Sequence, residues 1–171
     1  MDEKPCTFCQ IAAKKIPSRI VYEDENFIAF LDIRPLNPGH TLLIPKVHYR
    51  WVNDIPNFGE MWEVARKVSM GITKALNALL ISYATLGFDV PHAHIWIIPR
   101  FENDGHGGAI NWAAIKEIPD AEMGEIARKI RENIPTEQKK VEEKPVEEEK
   151  EEEQKRSEEE IWLIKRELEL T

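Results

Sequence analysis

No run of about 18 apolar residues occurs in this chain, so no membrane-spanning helix is expected. The opening residues, Met1-Asp2-Glu3-Lys4-Pro5, lack the basic region followed by an apolar one that marks a secretory signal, and the cytoplasm is the expected compartment. Excess positive charge is missing too. Lys plus Arg number 23 against 31 Asp plus Glu, a formal net charge of −8, which argues against general nucleic-acid binding and against attraction to anionic membranes. The imbalance lies late in the chain: residues 136–171 hold fourteen Glu against eight Lys plus Arg, which leaves −2 on residues 1–135. Lys46, Arg50 and Arg100 are therefore candidates for a local phosphate patch. Cysteine is limited to Cys6 and Cys9, in a C-x-x-C spacing. In a reducing compartment such a pair reads as metal or redox chemistry before a structural disulfide. The redox reading wants the pair at the start of a helix in a thioredoxin-like βαβ unit, and the order of elements here supplies none.

What is present suffices for one domain, since 171 residues with 42% hydrophobic content can bury a sizeable core. Phe8, Ile11 and Ala12 suit a short helical turn. Ile20–Tyr22, Phe27–Leu31 and Thr41–Pro45 read as strands separated by turn-forming residues. From about Pro56 to Leu80 the apolar positions Trp62, Ala65, Val68, Ile72, Ala75 and Leu79 recur at helical spacing, which predicts a long amphipathic helix. Ile81–Thr85 and His92–Ile98 read as further strands, and a second amphipathic helix runs from about Asp120 to Asn133. Strands without regular βα alternation, joined to two unlike helices, predict an α+β fold with an antiparallel sheet of about five strands, one long helix and one C-terminal helix. The loop holding Gly105, Gly107 and Gly108 is a weak phosphate signal and is expected to be mobile.

The most informative stretch is Pro91-His92-Ala93-His94-Ile95-Trp96-Ile97-Ile98-Pro99-Arg100. Alternation along a strand puts His92, His94 and Trp96 on one face and Ala93, Ile95 and Ile97 on the other, where a core fixes the register. Either histidine alone is compatible with a buried residue satisfied by backbone. Two side by side place two ring nitrogens, as nucleophile or metal ligand, on a surface that can receive a ligand.

This stretch resembles the signature of the histidine-triad (HIT) nucleotide hydrolases and transferases, His-φ-His-φ-His-φ-φ with φ apolar, with Trp96 where the third histidine stands. Cys6-Thr7-Phe8-Cys9, Ile16-Pro17, Tyr22-Glu23-Asp24-Glu25, Phe30-Leu31-Asp32-Ile33, Pro38-Gly39-His40 through Lys46, and His48 follow in the order of the branch with an N-terminal cysteine pair. The resemblance implies a hydrolase or nucleotidyltransferase acting on a nucleoside phosphate derivative. His94 would be the nucleophile, forming a covalent nucleotidyl-histidine, and His40 would shape the pocket. Asp32 would take the ribose hydroxyls, Phe8 and Ile33 would lie near the base, and Trp96 would line the substrate site. It also implies a structural Zn²⁺ on Cys6, Cys9, His48 and His92, as in the cysteine-bearing branch and in the similar galactose-phosphate uridylyltransferase, which carries Gln at the third position. A homodimer through the long helix and a continuous sheet is implied as well.

Two departures bear on activity. Indole at position 96 offers one N–H donor, no acceptor and no useful titration. Upstream, Ile81-Ser82-Tyr83 and Gly87-Phe88-Asp89 stand where the family has Asn-x-Gly and Gly-Gln-Ser elements, so Phe88 and Asp89 replace polar groups expected around ribose or phosphate, shifting substrate choice or slowing hydrolysis. The alternative is a catalytically weakened nucleotide-binding protein that acts through a partner. The chain thus divides into a HIT-like domain at 1–135, a Glu/Lys-rich linker or solvated helix at 136–157, and a short amphipathic helix at 158–171. Ser157-Glu158-Glu159-Glu160 has capping-box form, and Ile161–Leu170 is expected to contact a protein surface.

Overall fold

A computed structural model describes residues 6–135. The chain divides into two units, Met1–Thr136 and Glu137–Thr171. The expectations for 136–157 and 158–171, including the contact through Ile161–Leu170, lie outside the described residues.

The fold is α+β. Strands β1 (Ile20–Glu23), β2 (Phe27–Leu31), β3 (Thr41–Pro45), β4 (Leu80–Ala84) and β5 (Ile95–Arg100) form one antiparallel sheet in the order β1-β2-β3-β5-β4. A short helix α1 (Thr7–Ala12) precedes it, a long helix α2 (Phe58–Leu76) joins β3 to β4, and α3 (Asp120–Asn133) follows β5. Among the described residues no helix is long and apolar enough to cross a membrane.

The sheet is apolar on both faces because both are covered. Val21, Phe27, Ala29, Leu31, Leu43, Ile95 and Ile97 pack with Met61, Val64, Ala65, Val68 and Ile72 of α2 and with Met123, Ile126, Ala127 and Ile130 of α3. Burying each such large side chain is worth about 1.5–3 kcal/mol. Ile28, Phe30, Leu42 and Ile44 point the other way, onto Phe8 and Ile11 of α1, and Trp96 joins that cluster. The alternation read from residues 93–97 is therefore present: Ala93, Ile95 and Ile97 face the helices, and Trp96 faces away.

Two boundaries differ from expectation for local reasons. The long helix stops at Leu76 because Asn77 takes the left-handed conformation (φ 55°), leaving Leu79 74% exposed instead of on the buried stripe. The last strand begins at Ile95 instead of His92. Its partner β3 ends at Pro45, which has no N–H for the ladder, and the Ala93 N–H turns to the Tyr49 carbonyl at 2.7 Å. His92 and His94 thus sit on an irregular lead-in to β5.

Candidate active site and metal centre

Three separate segments bring four ligand atoms together. Cys6 and Cys9 flank the first turn of α1, His48 follows β3 and His92 precedes β5, and their donor atoms all lie within 4.8 Å of one another. Cys6 Sγ is 3.4 Å and Cys9 Sγ 3.5 Å from His92 Nδ1, and Cys9 Sγ is 3.2 Å from His48 Nδ1. A tetrahedral ion with bonds of about 2.3 Å to sulfur and 2.0 Å to nitrogen has sulfur-to-nitrogen edges of about 3.5 Å, so these residues fit a metal ion. The surroundings agree. His92 Nε2–H donates to the Pro45 carbonyl at 2.9 Å, which leaves the Nδ1 lone pair facing the thiols, and burial pushes His92 below its ordinary pKa and keeps it neutral. Burial, and after it the neighbouring Cys6, push the Cys9 thiol up to about 11, so Cys9 resists ionising until a cation compensates it.

Two residues on, His94 is 4% exposed. It is therefore buried, not on an open surface as alternation suggested, because Phe8 packs its ring edge-on at 5.4 Å from α1. His94 Nδ1–H donates to the His92 carbonyl at 2.7 Å, which fixes the tautomer and leaves a lone pair on Nε2. Burial lowers its pKa, an effect the His92 carbonyl partly opposes, so the ring is neutral at pH 7.

His40 is fully buried. Its Nδ1 accepts the Leu36 N–H at 3.3 Å, while the Asp32 carboxylate, 3.7 Å away, is beyond hydrogen-bond range. Burial drives its pKa down to about 4 against the opposing pull of Asp32, so the ring is neutral with its proton on Nε2. That Nε2–H is buried with no hydrogen-bond partner among the described residues. Across the ring, at 4.7 Å between centroids, lies Trp96. Asp32 accepts the Arg34 N–H at 2.8 Å, and Ile33 beside it is 83% exposed, on the rim of an open cleft of about 760 Å³ that Ile115, Lys116 and Ile118 also line. Phe8 is buried against Phe30 and both histidines, in the core more than in a slot.

The basic patch does not assemble. Lys46 pairs with Glu23 at 3.0 Å and Arg100 with Asp104 at 2.6 Å, whereas Arg50 donates to the Gly87 carbonyl at 2.6 Å and stacks on Trp51 at 3.9 Å. Phe88 is 91% exposed, edge-on to Trp51 at 6.5 Å.

Nor is the glycine-bearing loop loose. Asp104 accepts from Arg100, Asn37, Phe101 and His106, its carboxyl held well below the ordinary range, chiefly by the Arg100 guanidinium. His106 Nε2–H donates to the Leu36 carbonyl at 3.2 Å. This network escaped the sequence reading, although Asp104 four residues after Arg100 was a visible cue. The loop also delivers Trp112, 5.8 Å from Trp96, for which the sequence carried no signal beyond an isolated aromatic.

A family model described as the HIT domain matches residues 13–103. An uncharacterized HIT-like protein of Methanocaldococcus jannaschii is 35% identical over 133 residues, covering 74% of this chain and 98% of that protein. An adenylylsulfatase of Arabidopsis thaliana is 36% identical over 60% of this chain and 55% of its own length. The crystal structure of a Zn-bound histidine triad family protein from Mycobacterium smegmatis superposes with a TM-score of 0.64 at 32% identity, over 76% of this chain and 93% of that one. The ordered motifs, the five-stranded sheet and these matches agree: the chain belongs to the HIT family of nucleotide-binding hydrolases and transferases.

Proposed function

We propose that this protein is a hydrolase or nucleotidyltransferase acting on a nucleoside phosphate derivative, with His94 as nucleophile. The observation that carries the reading is the 2.7 Å bond from His94 Nδ1–H to the His92 carbonyl, which makes Nε2 the free nitrogen of a neutral imidazole. Nε2 attacks the α-phosphorus and an N–P bond forms. The bond from phosphorus to the leaving group breaks, and the leaving group departs with the electron pair and takes a proton from solvent. Water then adds to phosphorus, the N–P bond breaks with its pair returning to Nε2, and a proton passes to bulk, giving a nucleoside monophosphate. An acceptor phosphate in place of water gives transfer. Asp32 accepts the ribose hydroxyls, the exposed Ile33 borders the base while the buried Phe8 backs the His94 ring, Trp96 lines the phosphate side, and His40 supplies the pocket with a buried N–H. The relative named an adenylylsulfatase agrees with a nucleotide substrate.

Cys6, Cys9, His48 and His92 would hold Zn²⁺, which with four protein ligands supplies structural cross-linking and leaves no open position for substrate. The reading includes a homodimer, for which α2 and the edge strand β4, with exposed Leu80 and Tyr83, offer apolar surface, and a cytoplasmic setting in which the cysteines stay reduced.

One observation favours a second reading, a catalytically weakened nucleotide-binding protein: the His40 N–H has an indole beside it where a third imidazole would accept. Incubation of wild type and His94→Ala with a nucleoside phosphoramidate, followed by alkaline denaturation and mass spectrometry, separates the two. A nucleotidyl adduct on His94 that the variant lacks supports the enzyme. Nucleotide binding without adduct or turnover in wild type supports the weakened form, and full turnover by His94→Ala refutes the mechanism.

A further inference from the structure

Trp96 is not an isolated replacement. Its ring centroid is 6.4 Å from that of His94, 4.7 Å from His40 and 5.8 Å from Trp112, the last in edge-to-face geometry at 69°. Trp112 comes from the connection between β5 and α3, and hydrogen bonds on both sides hold it in place. His106 is anchored to the Leu36 carbonyl through Nε2–H and accepts the Asn111 N–H on Nδ1 at 3.1 Å. Asn111 Oδ1 accepts the Ala113 N–H and its carbonyl the Ala114 N–H, both at 3.1 Å, and the Lys116 N–H reaches the Pro35 carbonyl at 2.7 Å. Trp112 nevertheless stays 49% exposed. A large aromatic ring set edge-on to Trp96 on a hydrogen-bonded loop, yet half open to solvent, presents a flat apolar face to a ligand.

We propose that Trp96 and Trp112 form the leaving-group subsite of the His94 centre and select substrates whose leaving group carries an aromatic ring. The proposal rests on His94 as the site of nucleotidyl transfer. The nucleoside end is claimed by Asp32, whose carboxylate lies 3.7 Å from His40 Nδ1, whereas the Trp96 indole meets His40 and His94 ring to ring and Trp112 extends that face from beyond Trp96. Position 96 carries a large, non-titrating indole where the family signature has an imidazole. Selectivity there comes from stacking area instead of hydrogen bonding to the departing atom, and Trp112 supplies the exposed half of that area.

The test uses two phosphoramidates of one nucleoside, N-benzyl and N-methyl, titrated calorimetrically into the full chain carrying His94→Ala, so that no turnover intervenes. The benzyl compound is expected to bind about tenfold more tightly than the methyl one. Adding Trp112→Ala should bring that ratio close to one, and Trp112→Phe should keep most of it. A ratio near one with both indoles present, or an unchanged ratio in Trp112→Ala, overturns the proposal. Equal weakening of both compounds by Trp112→Ala also overturns it, by assigning the indoles to the nucleobase. Adduct formation on unmodified His94 is scored separately. Benzyl preference without an adduct sinks the nucleophile and spares the subsite, whereas an adduct without preference does the reverse.

Discussion

If Cys6, Cys9, His48 and His92 hold Zn²⁺ as proposed, removing it should cost this protein a large part of its stability. The four ligands tie the start of α1 to the segments after β3 and before β5, contacts separated by 39 and 86 residues in sequence. Without the ion, α1 is a six-residue helix, far too short to persist alone, held by the burial of Phe8 and Ile11 at about 1.5–3 kcal/mol each. That burial survives demetallation, so the loss is set by the binding linkage and not by detachment of the whole segment. An ion present at a thousand times its dissociation constant stabilises the fold by about 4 kcal/mol. At roughly 3–5 °C per kcal/mol for a domain of this size, a strong chelator should lower Tm by about 12–20 °C. Cys9→Ser should show most of that fall without chelator and little further change with it, because the two perturbations remove the same interaction. Scanning calorimetry with elemental analysis is the assay. A protein that carries no stoichiometric zinc, and whose Tm is the same with and without chelator, would refute the assignment of these four residues.

Three other outcomes follow from named contacts. Trp96→His should raise hydrolysis of a nucleoside phosphoramidate, by about 10- to 100-fold in kcat, by giving the His40 Nε2–H an acceptor and the leaving group a titrating neighbour; an unchanged kcat in a folded variant removes Trp96 as the limit. His40, whose pKa drops from 6.5 to about 4 on folding, binds its proton first in the unfolded chain, so its contribution is intact above pH 6.5 and lost as pH falls toward 4. That loss is about 3 kcal/mol, and urea unfolding at pH 7 and pH 4.5 should show a smaller difference in His40→Gln than in wild type. Gly71→Ala should destabilise by about 1–3 kcal/mol in chemical denaturation despite alanine's better helix propensity, because the new methyl would meet Ile134 Cγ1 at 2.5 Å and its Cα at 3.1 Å.

Much of the fold was readable because its signals are local. β2 and β3 lie where Phe27–Leu31 and Thr41–Pro45 were placed, and α3 starts and stops at Asp120 and Asn133, since turn residues and amphipathic spacing need no knowledge of the rest of the chain. What failed depends on partners. The start of β5 was set by Pro45 on the neighbouring strand, which no reading of residues 92–98 alone contains. The phosphate patch failed because Glu23 and Asp104 take Lys46 and Arg100. The loop expected to move is fixed by Asp104 and His106 reaching Asn37 and Leu36, more than sixty residues back. Of the site, the clustering of Cys6, Cys9, His48 and His92 was reached through the order of motifs, since spacings of 38 and 43 residues fit no short metal-binding pattern.

The irregular lead-in to β5 explains how the proposed metal ligand His92 and the proposed nucleophile His94 can work two residues apart. Within a regular ladder the carbonyl of residue 92 would be committed to a neighbouring strand. Here it is free to accept from His94, because the segment is held by other bonds: His92 N–H to Val90 at 2.8 Å, Ala93 N–H to Tyr49 at 2.7 Å and His92 Nε2–H to Pro45 at 2.9 Å. The side chain of His92 faces Cys6, Cys9 and His48 while its backbone carbonyl orients the imidazole of His94. Whatever fixes the His92 ring therefore also fixes the carbonyl that selects the His94 tautomer. On the proposed reading, a metal held only as a structural cross-link would still bear on the chemistry, through the His92 main chain and without contact to the phosphate.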